Sequence, residues 1–198
     1  MAKLYFYYAA MNAGKSTTLL QAAFNYAERG METMLFTAAI DDRAGYGRIA
    51  SRIGLEAEAE PFDRGTDLRA LVLAQRQQRA LACVLVDEAQ FLTRGQVLGL
   101  ARLCDEDDLP VVTYGLRTDF RGELFEGSAA LLGLADSLIE LKAICECGRK
   151  ATMNLRVDAS GVAMREGAQT EIGGNDRYIA LCRKHFSERL RRRSAVTS

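Results

Sequence analysis

Short apolar runs alternate with longer stretches of helical spacing through residues 1–142, and beyond them the alternation stops. Residues 4–8 (Leu4-Tyr5-Phe6-Tyr7-Tyr8) read as a strand. A glycine-containing turn leads to a helix over residues 15–29, where Leu19, Leu20, Ala23 and Tyr26 recur at helical spacing and Gly30 is suited to end it. Residues 33–37 read as a second strand. Residues 41–66 hold four glycines, many charges and weak periodicity, which predicts a mobile loop. The pattern then resumes with a helix over residues 67–80, capped by Thr66 or Asp67. Cys83-Val84-Leu85-Val86 is wholly apolar, as in a strand covered on both faces. Residues 94–104 and 123–134 read as helices, and 111–114 and 137–141 as strands.

Strands alternating with helices predict a doubly wound, mostly parallel α/β sheet. Residues 143–190 hold short strand-like pieces, glycines and a Cys/His group, a second lobe too small to bury a core without a staple. The division expected is a core over residues 1–142, a lobe over 143–191 and a C-terminal tail over 192–198. The basic run 189–193 reads as solvated chain.

Composition narrows the function classes. The 198 residues are 48% hydrophobic and 26% charged, ordinary for a compact soluble protein. Twenty-six basic residues match twenty-six acidic ones, which gives no support for nucleic-acid binding by bulk charge. No apolar stretch approaches the roughly 20 residues that span a bilayer, and the N-terminal aromatic run is too short for a signal peptide. A cytoplasmic protein without a membrane or nucleic-acid partner is expected. Of five cysteines, Cys83 and Cys104 lie in apolar stretches and read as small buried hydrophobes.

Two segments carry phosphate chemistry. Ala9-Ala10-Met11-Asn12-Ala13-Gly14-Lys15-Ser16 follows a strand and opens a helix, the setting of a phosphate-binding loop. Backbone N–H groups at a helix start wrap phosphate oxygens, Lys15 neutralises β- and γ-oxygens, and the Ser16 hydroxyl suits Mg²⁺. Ala9 stands where the pattern usually has glycine, which puts the backbone path of the loop in question. Val84-Leu85-Val86-Asp87-Glu88-Ala89-Gln90-Phe91 is an apolar strand ending in two acids. Asp87 suits the Mg²⁺ shell, and Glu88 suits activation of an attacking oxygen. Together the motifs imply a nucleoside triphosphate with Mg²⁺.

The third group is Cys145-Glu146-Cys147 with Cys182 and His185, three thiols and the only imidazole of the chain. Tetrahedral Zn²⁺ takes such a set in structural sites, although two to four residues more often separate the first pair. Four protein ligands leave no open position, so the metal would be structural.

With these residues in view, the chain resembles the type II thymidine kinases, especially the bacterial ones. The resemblance rests on Met11-Asn12-Ala13-Gly14-Lys15-Ser16-Thr17, Asp87-Glu88-Ala89-Gln90-Phe91, Tyr114-Gly115-Leu116-Arg117-Thr118-Asp119-Phe120-Arg121-Gly122, the four metal ligands, and Ile172-Gly173-Gly174-Asn175-Asp176-Arg177-Tyr178. It implies a P-loop NTPase-type core with a zinc lobe carrying a lasso-shaped substrate loop, and transfer of the ATP γ-phosphate to the 5′-hydroxyl of deoxythymidine. Glu88 matches the family's catalytic base. Met11, Leu116, Phe120, Phe125, Gly173 and Tyr178 match nucleoside-pocket positions, and Asp41 and Arg43 a charged pair flanking the phosphates. A homotetramer inhibited by dTTP is also implied. The alternative is a P-loop ATPase of helicase or remodelling type, because Asp87-Glu88-Ala89-Gln90 resembles the helicase signature as well. Helicases usually need two such domains and a basic groove, and the balanced charge offers none. A signalling switch would carry a guanine-reading Asn-Lys-x-Asp segment, which does not occur.

Overall fold

A computed structural model describes residues 1–169 and 177–192. Strands β1 (Leu4–Ala9), β2 (Glu32–Ala38), β5 (Glu60–Phe62), β6 (Leu81–Val86), β7 (Val111–Leu116) and β8 (Ser137–Glu140) form one sheet, ordered β5-β2-β6-β7-β1-β8. Every neighbouring pair is parallel. Helices α2 (Leu68–Gln78), α3 (Arg94–Asp105) and α4 (Glu126–Leu134) cover one face, and α1 (Lys15–Glu28) covers the other. Strand β6 shows why its sequence is apolar throughout. Val84 and Val86 pack with Leu100, Leu103 and Leu131, while Cys83 and Leu85 pack with Leu19 and Leu20. Burying each Leu or Val is worth roughly 1.5–3 kcal/mol.

The helix boundaries follow local chemistry. Asp67, rather than Thr66, caps α2, its carboxylate accepting from the Ala70 amide at 2.9 Å. Thr93 and Gln96 form a reciprocal capping box at α3. Gly30 adopts φ 69° after α1, and its amide donates to Ala27.

Residues 41–66 do not form the expected featureless loop. They hold an antiparallel hairpin, β3 (Arg48–Ala50) with β4 (Glu56–Glu58), and then the edge strand β5. Three-residue strands show too few apolar positions for a period to be seen, yet one buried side chain secures each unit. Ile49 seats the hairpin on the α1 side, and Phe62 seats β5 in the other core cluster. Pro61 is tolerated because β5 is at the sheet edge.

The C-terminal part consists of β9 (Ala143–Ile144) paired with β10 (Lys150–Ala151), β11 (Met153–Arg156) paired with β12 (Tyr178–Leu181), and α5 (Arg183–Arg192). It buries a cluster of its own that includes Leu155, Val157, Leu181 and Phe186, and Ala10 from the core joins it. Residues 189–192 of the basic run continue this helix rather than starting a tail, and Arg193 lies outside the described residues. Phe186 and Leu190, four residues apart, are the only apolar inward residues of α5, too few to register as a period among the charges. Arg189 forms an ion pair with Glu146. No helix among the described residues is long and apolar enough to cross a membrane.

Candidate active site

Parallel strands deliver their C-terminal ends to one edge of a sheet, where ligand crevices open. Here β1 ends at Ala9 before the phosphate loop, β2 ends before Asp41 and Arg43, β6 ends before Asp87 and Glu88, and β7 ends before the segment with Phe120. Four segments distant in sequence therefore meet at one crevice.

Ala9 is the last residue of β1, and the left-handed angles of the loop fall at Asn12 (φ 63°) and Gly14 (φ 78°). The missing glycine thus costs no strain at position 9, and asparagine is among the residues that tolerate this region. Left-handed residues alternating along a loop turn successive N–H groups inward, a concave anion cradle at the start of α1. Lys15 is buried, with Nζ donating to the Ala10 carbonyl at 3.3 Å. Burial lowers its pKa, Glu88 and Asp87 oppose that, and Arg43 adds to it. The Ser16 hydroxyl donates to Asp87 Oδ2 at 2.8 Å, joining the two motifs.

Glu88 adopts φ 51°, a left-handed angle that costs about 1–2 kcal/mol for a side chain of this kind. Its carboxylate is held from two sides. Arg43 Nη2 donates to Oε1 at 3.0 Å, and Gln90 Nε2 donates to Oε2. Arg43 is itself held by Asp41, with Nε and Nη2 each 2.6 Å from a carboxylate oxygen. That bond raises the Arg43 pKa further, so its charge is fixed. Gln90 is anchored in turn, its Oε1 accepting from the Leu116 amide at 3.0 Å. The approach is so close that a Cβ on Gly115 would stand 2.9 Å from the same oxygen. Burial, then the charge of Glu88, push the Asp87 carboxyl up to about 7, while Ser16, the Glu88 amide and Lys15 pull the other way.

A cavity of about 550 Å³ opens from this cluster. Of the residues singled out by sequence, Met11, Asn12, Gly14, Lys15, Ser16, Asp87, Glu88, Gln90, Leu116, Phe120, Phe125 and Tyr178 line it, as do Asp41 and Arg43. Ala9, Ala10, Ala13 and Ala89 do not. Ala10 and Ala13 face the C-terminal cluster, and Ala89 is sealed in the main core. Gly173 lies outside the described residues. The sequence reading missed the hairpin residues 48–53, Asn154 and Gln169, which also line the cavity. Asn154 is buried and joins the two parts of the chain: Oδ1 accepts from the Met11 amide at 2.7 Å, and Nδ2 donates to the Thr118 carbonyl at 3.3 Å. The alternation of apolar and polar residues in Met153-Asn154-Leu155-Arg156 was its only signal in the sequence.

At the far end of the C-terminal part, ligand atoms of Cys145, Cys147, Cys182 and His185 lie within 4.8 Å of one another. Cys145 Sγ is 3.3 Å from His185 Nδ1, and Cys147 Sγ is 3.9 Å from Cys182 Sγ. A zinc tetrahedron with bonds of about 2.3 Å has sulfur edges of about 3.8 Å, so the donor set fits that ion. The one-residue spacing is accommodated by the tight connection between β9 and β10, where the Gly148 amide donates to the Cys145 carbonyl. Burial would raise the Cys145 thiol, but the Cys147 and Cys182 amides and the His185 ring bring it down to about 6, favouring the thiolate that binds metal.

Comparison with known proteins agrees with this geometry. The family model for thymidine kinase matches residues 2–186. A thymidine kinase of Novosphingobium aromaticivorans is 72% identical over 190 residues, covering 96% of this chain and 99% of its own. Those of Jannaschia sp. and Vibrio cholerae are 64% and 59% identical, covering 95% and 97% of this chain and 96% and 100% of theirs. With a phosphate loop, an acidic strand end and an aromatic-walled cavity in one crevice, and relatives matched over nearly its whole length, the chain belongs to the thymidine kinase family.

Proposed function

We propose that the chain transfers the γ-phosphoryl group of ATP to the 5′-hydroxyl of deoxythymidine, giving dTMP and ADP. The observation that carries this reading is the carboxylate of Glu88, fixed by Arg43 and Gln90 where the phosphate loop meets the aromatic-walled cavity. The loop amides and Lys15 hold the triphosphate, and the pyrimidine lies against Phe120, Phe125 and Tyr178. Glu88 takes the 5′-hydroxyl proton as the new oxygen–phosphorus bond forms and the bond to the β-phosphate oxygen breaks. Ser16 and Asp87 would hold Mg²⁺, which neutralises charge on the β- and γ-oxygens. Product analysis with ATP and a panel of nucleosides tests the reading: dTMP should form, and ADP should appear only when nucleoside is present. ADP release without nucleoside, or stimulated by DNA, would point to a motor instead.

The division into a core over residues 1–142 and a zinc lobe over 143–191 belongs to the same proposal, with the metal as the lobe's staple. About one zinc per chain is expected by elemental analysis. Cys182→Ser should lose that metal and lower Tm by roughly 10 °C or more, because metal binding is part of the folding free energy. Stoichiometric zinc in the variant, or none in the parent, would remove the site. A cytoplasmic homotetramer inhibited by dTTP completes the reading, checked by native mass and by titrating dTTP into the assay.

A further inference from the structure

Strand β11 places two polar side chains, Asn154 and Arg156, two residues apart and so on one face. Asn154 reaches the phosphate loop, as described above. Arg156 is among the most deeply buried side chains of the molecule, 1% exposed. Its guanidinium lies over the Phe120 ring, 3.8 Å from the centroid. From that position Nη1 donates to the Ala168 carbonyl at 3.1 Å, and Nη2 donates to the Glu166 carbonyl at 3.0 Å. Gly167 lies between those carbonyls at φ 128°, and a Cβ there would overlap Nη2. The segment is therefore shaped around the arginine.

Both objects that Arg156 grips belong to the cavity. Phe120 is one wall. The gripped segment leads directly to Gln169, which also lines the cavity and whose Nε2 donates to Asp119 Oδ2 at 3.3 Å. Asp119 holds the Phe120 turn from the other side, accepting from the amides of Arg121 and Glu123 at 2.9 Å each. The ring and the segment that faces it are thus tied into one unit whose centre is the guanidinium. A planar fork that stacks on a ring and donates along two directions can do this; an ammonium cannot.

From this geometry we infer that Arg156 is a positioning residue for the nucleoside, setting the spacing between Phe120 and the 166–169 segment while touching neither ATP nor the reacting atoms. The inference rests on the kinase reading above and adds a determinant of nucleoside affinity within the same site. It separates two constants, because the phosphate cradle is fixed by α1 and Asn154 and not by Arg156.

The test is steady-state kinetics on the full chain with Arg156→Lys and Arg156→Met, with melting temperature and zinc content as controls on folding. Arg156→Lys should raise the KM for thymidine about tenfold, the loss expected for one stacked cation and its paired donors. The KM for ATP and kcat should stay within about twofold. Arg156→Met, where it folds, should show the same split with a larger rise. A thymidine KM unchanged in Arg156→Lys, with normal turnover by the parent, overturns this inference alone. A parallel rise in both KM values, or failure of both variants to fold, makes Arg156 a structural residue and overturns it too. A parent that does not phosphorylate thymidine would instead overturn the kinase reading itself, and this inference with it.

Discussion

Lys15→Ala is expected to cut phosphoryl transfer by about 10²–10³-fold in a protein that still folds. The ammonium is the only cation of the phosphate loop, and it is buried at the start of α1 beside Asp87 and Glu88. Charge developing on the transferring phosphoryl group needs a fixed positive partner in a site with little water, and losing one such group typically costs about 10²–10³-fold in kcat. The stability effect is smaller because two effects oppose each other. Burial of the ammonium carries a desolvation cost that lowers its pKa, and the charges of Glu88 and Asp87 oppose it. Alanine removes that cost along with the attraction, so Tm should move by no more than about 4 °C, equivalent to roughly 1 kcal/mol for a chain of this size. Turnover of thymidine and thermal melting on the same preparation decide the matter. Near-normal kcat in a folded Lys15→Ala protein would mean that the loop does not carry the triphosphate.

The parts of the fold that were legible in the sequence are those where burial repeats. Strand β6 is apolar at every position because helices cover both faces of the sheet, and that pattern admits few other readings. The hairpin β3 with β4 was not legible because Ile49 is its one buried side chain, and one buried position makes no period. Helix α5 was hidden for a related reason. Most of its residues are charged, and it is held by Phe186, Leu190 and the pairing of Arg189 with Glu146, a residue far away in sequence.

The candidate site divides along the same line. The phosphate loop and the Asp87-Glu88 pair were legible because backbone chemistry requires those residue types at fixed spacing. The contacts that aim them were not. Gln90 anchored by the Leu116 amide, Asn154 holding the Met11 amide and Arg156 stacked on Phe120 are contacts between residues far apart in sequence, set by which elements meet at the crevice. The left-handed angle at Glu88 is invisible for another reason, since glutamate has no preference for that region and only the surrounding bonds keep it there.

Those bonds make Glu88→Gln the sharper test of mechanism. A hydroxyl is a poor nucleophile and must lose its proton as the phosphorus–oxygen bond forms; general-base catalysis typically contributes about 10²–10⁴-fold, so kcat should fall by that factor. The substitution removes more than the base. Glu88 accepts from Arg43 at one oxygen and from Gln90 at the other, and glutamine offers only one acceptor. Gln90 cannot reverse its amide to compensate, because its own oxygen is committed to the Leu116 amide. One of the two contacts is therefore lost, and the side chain should lose its fixed aim as well as its basicity. Glu88→Asp separates the two effects: the carboxylate is kept but withdrawn by one methylene, so an intermediate rate is expected. ATP affinity should change little in either variant, since in the proposed reading Lys15 and the loop amides hold the phosphates. A single-turnover measurement with thymidine isolates the chemical step from product release. If Glu88→Gln kept most of the single-turnover rate, the proton would have to leave by another route, and the fixed carboxylate would be an anchor for Arg43 rather than a base.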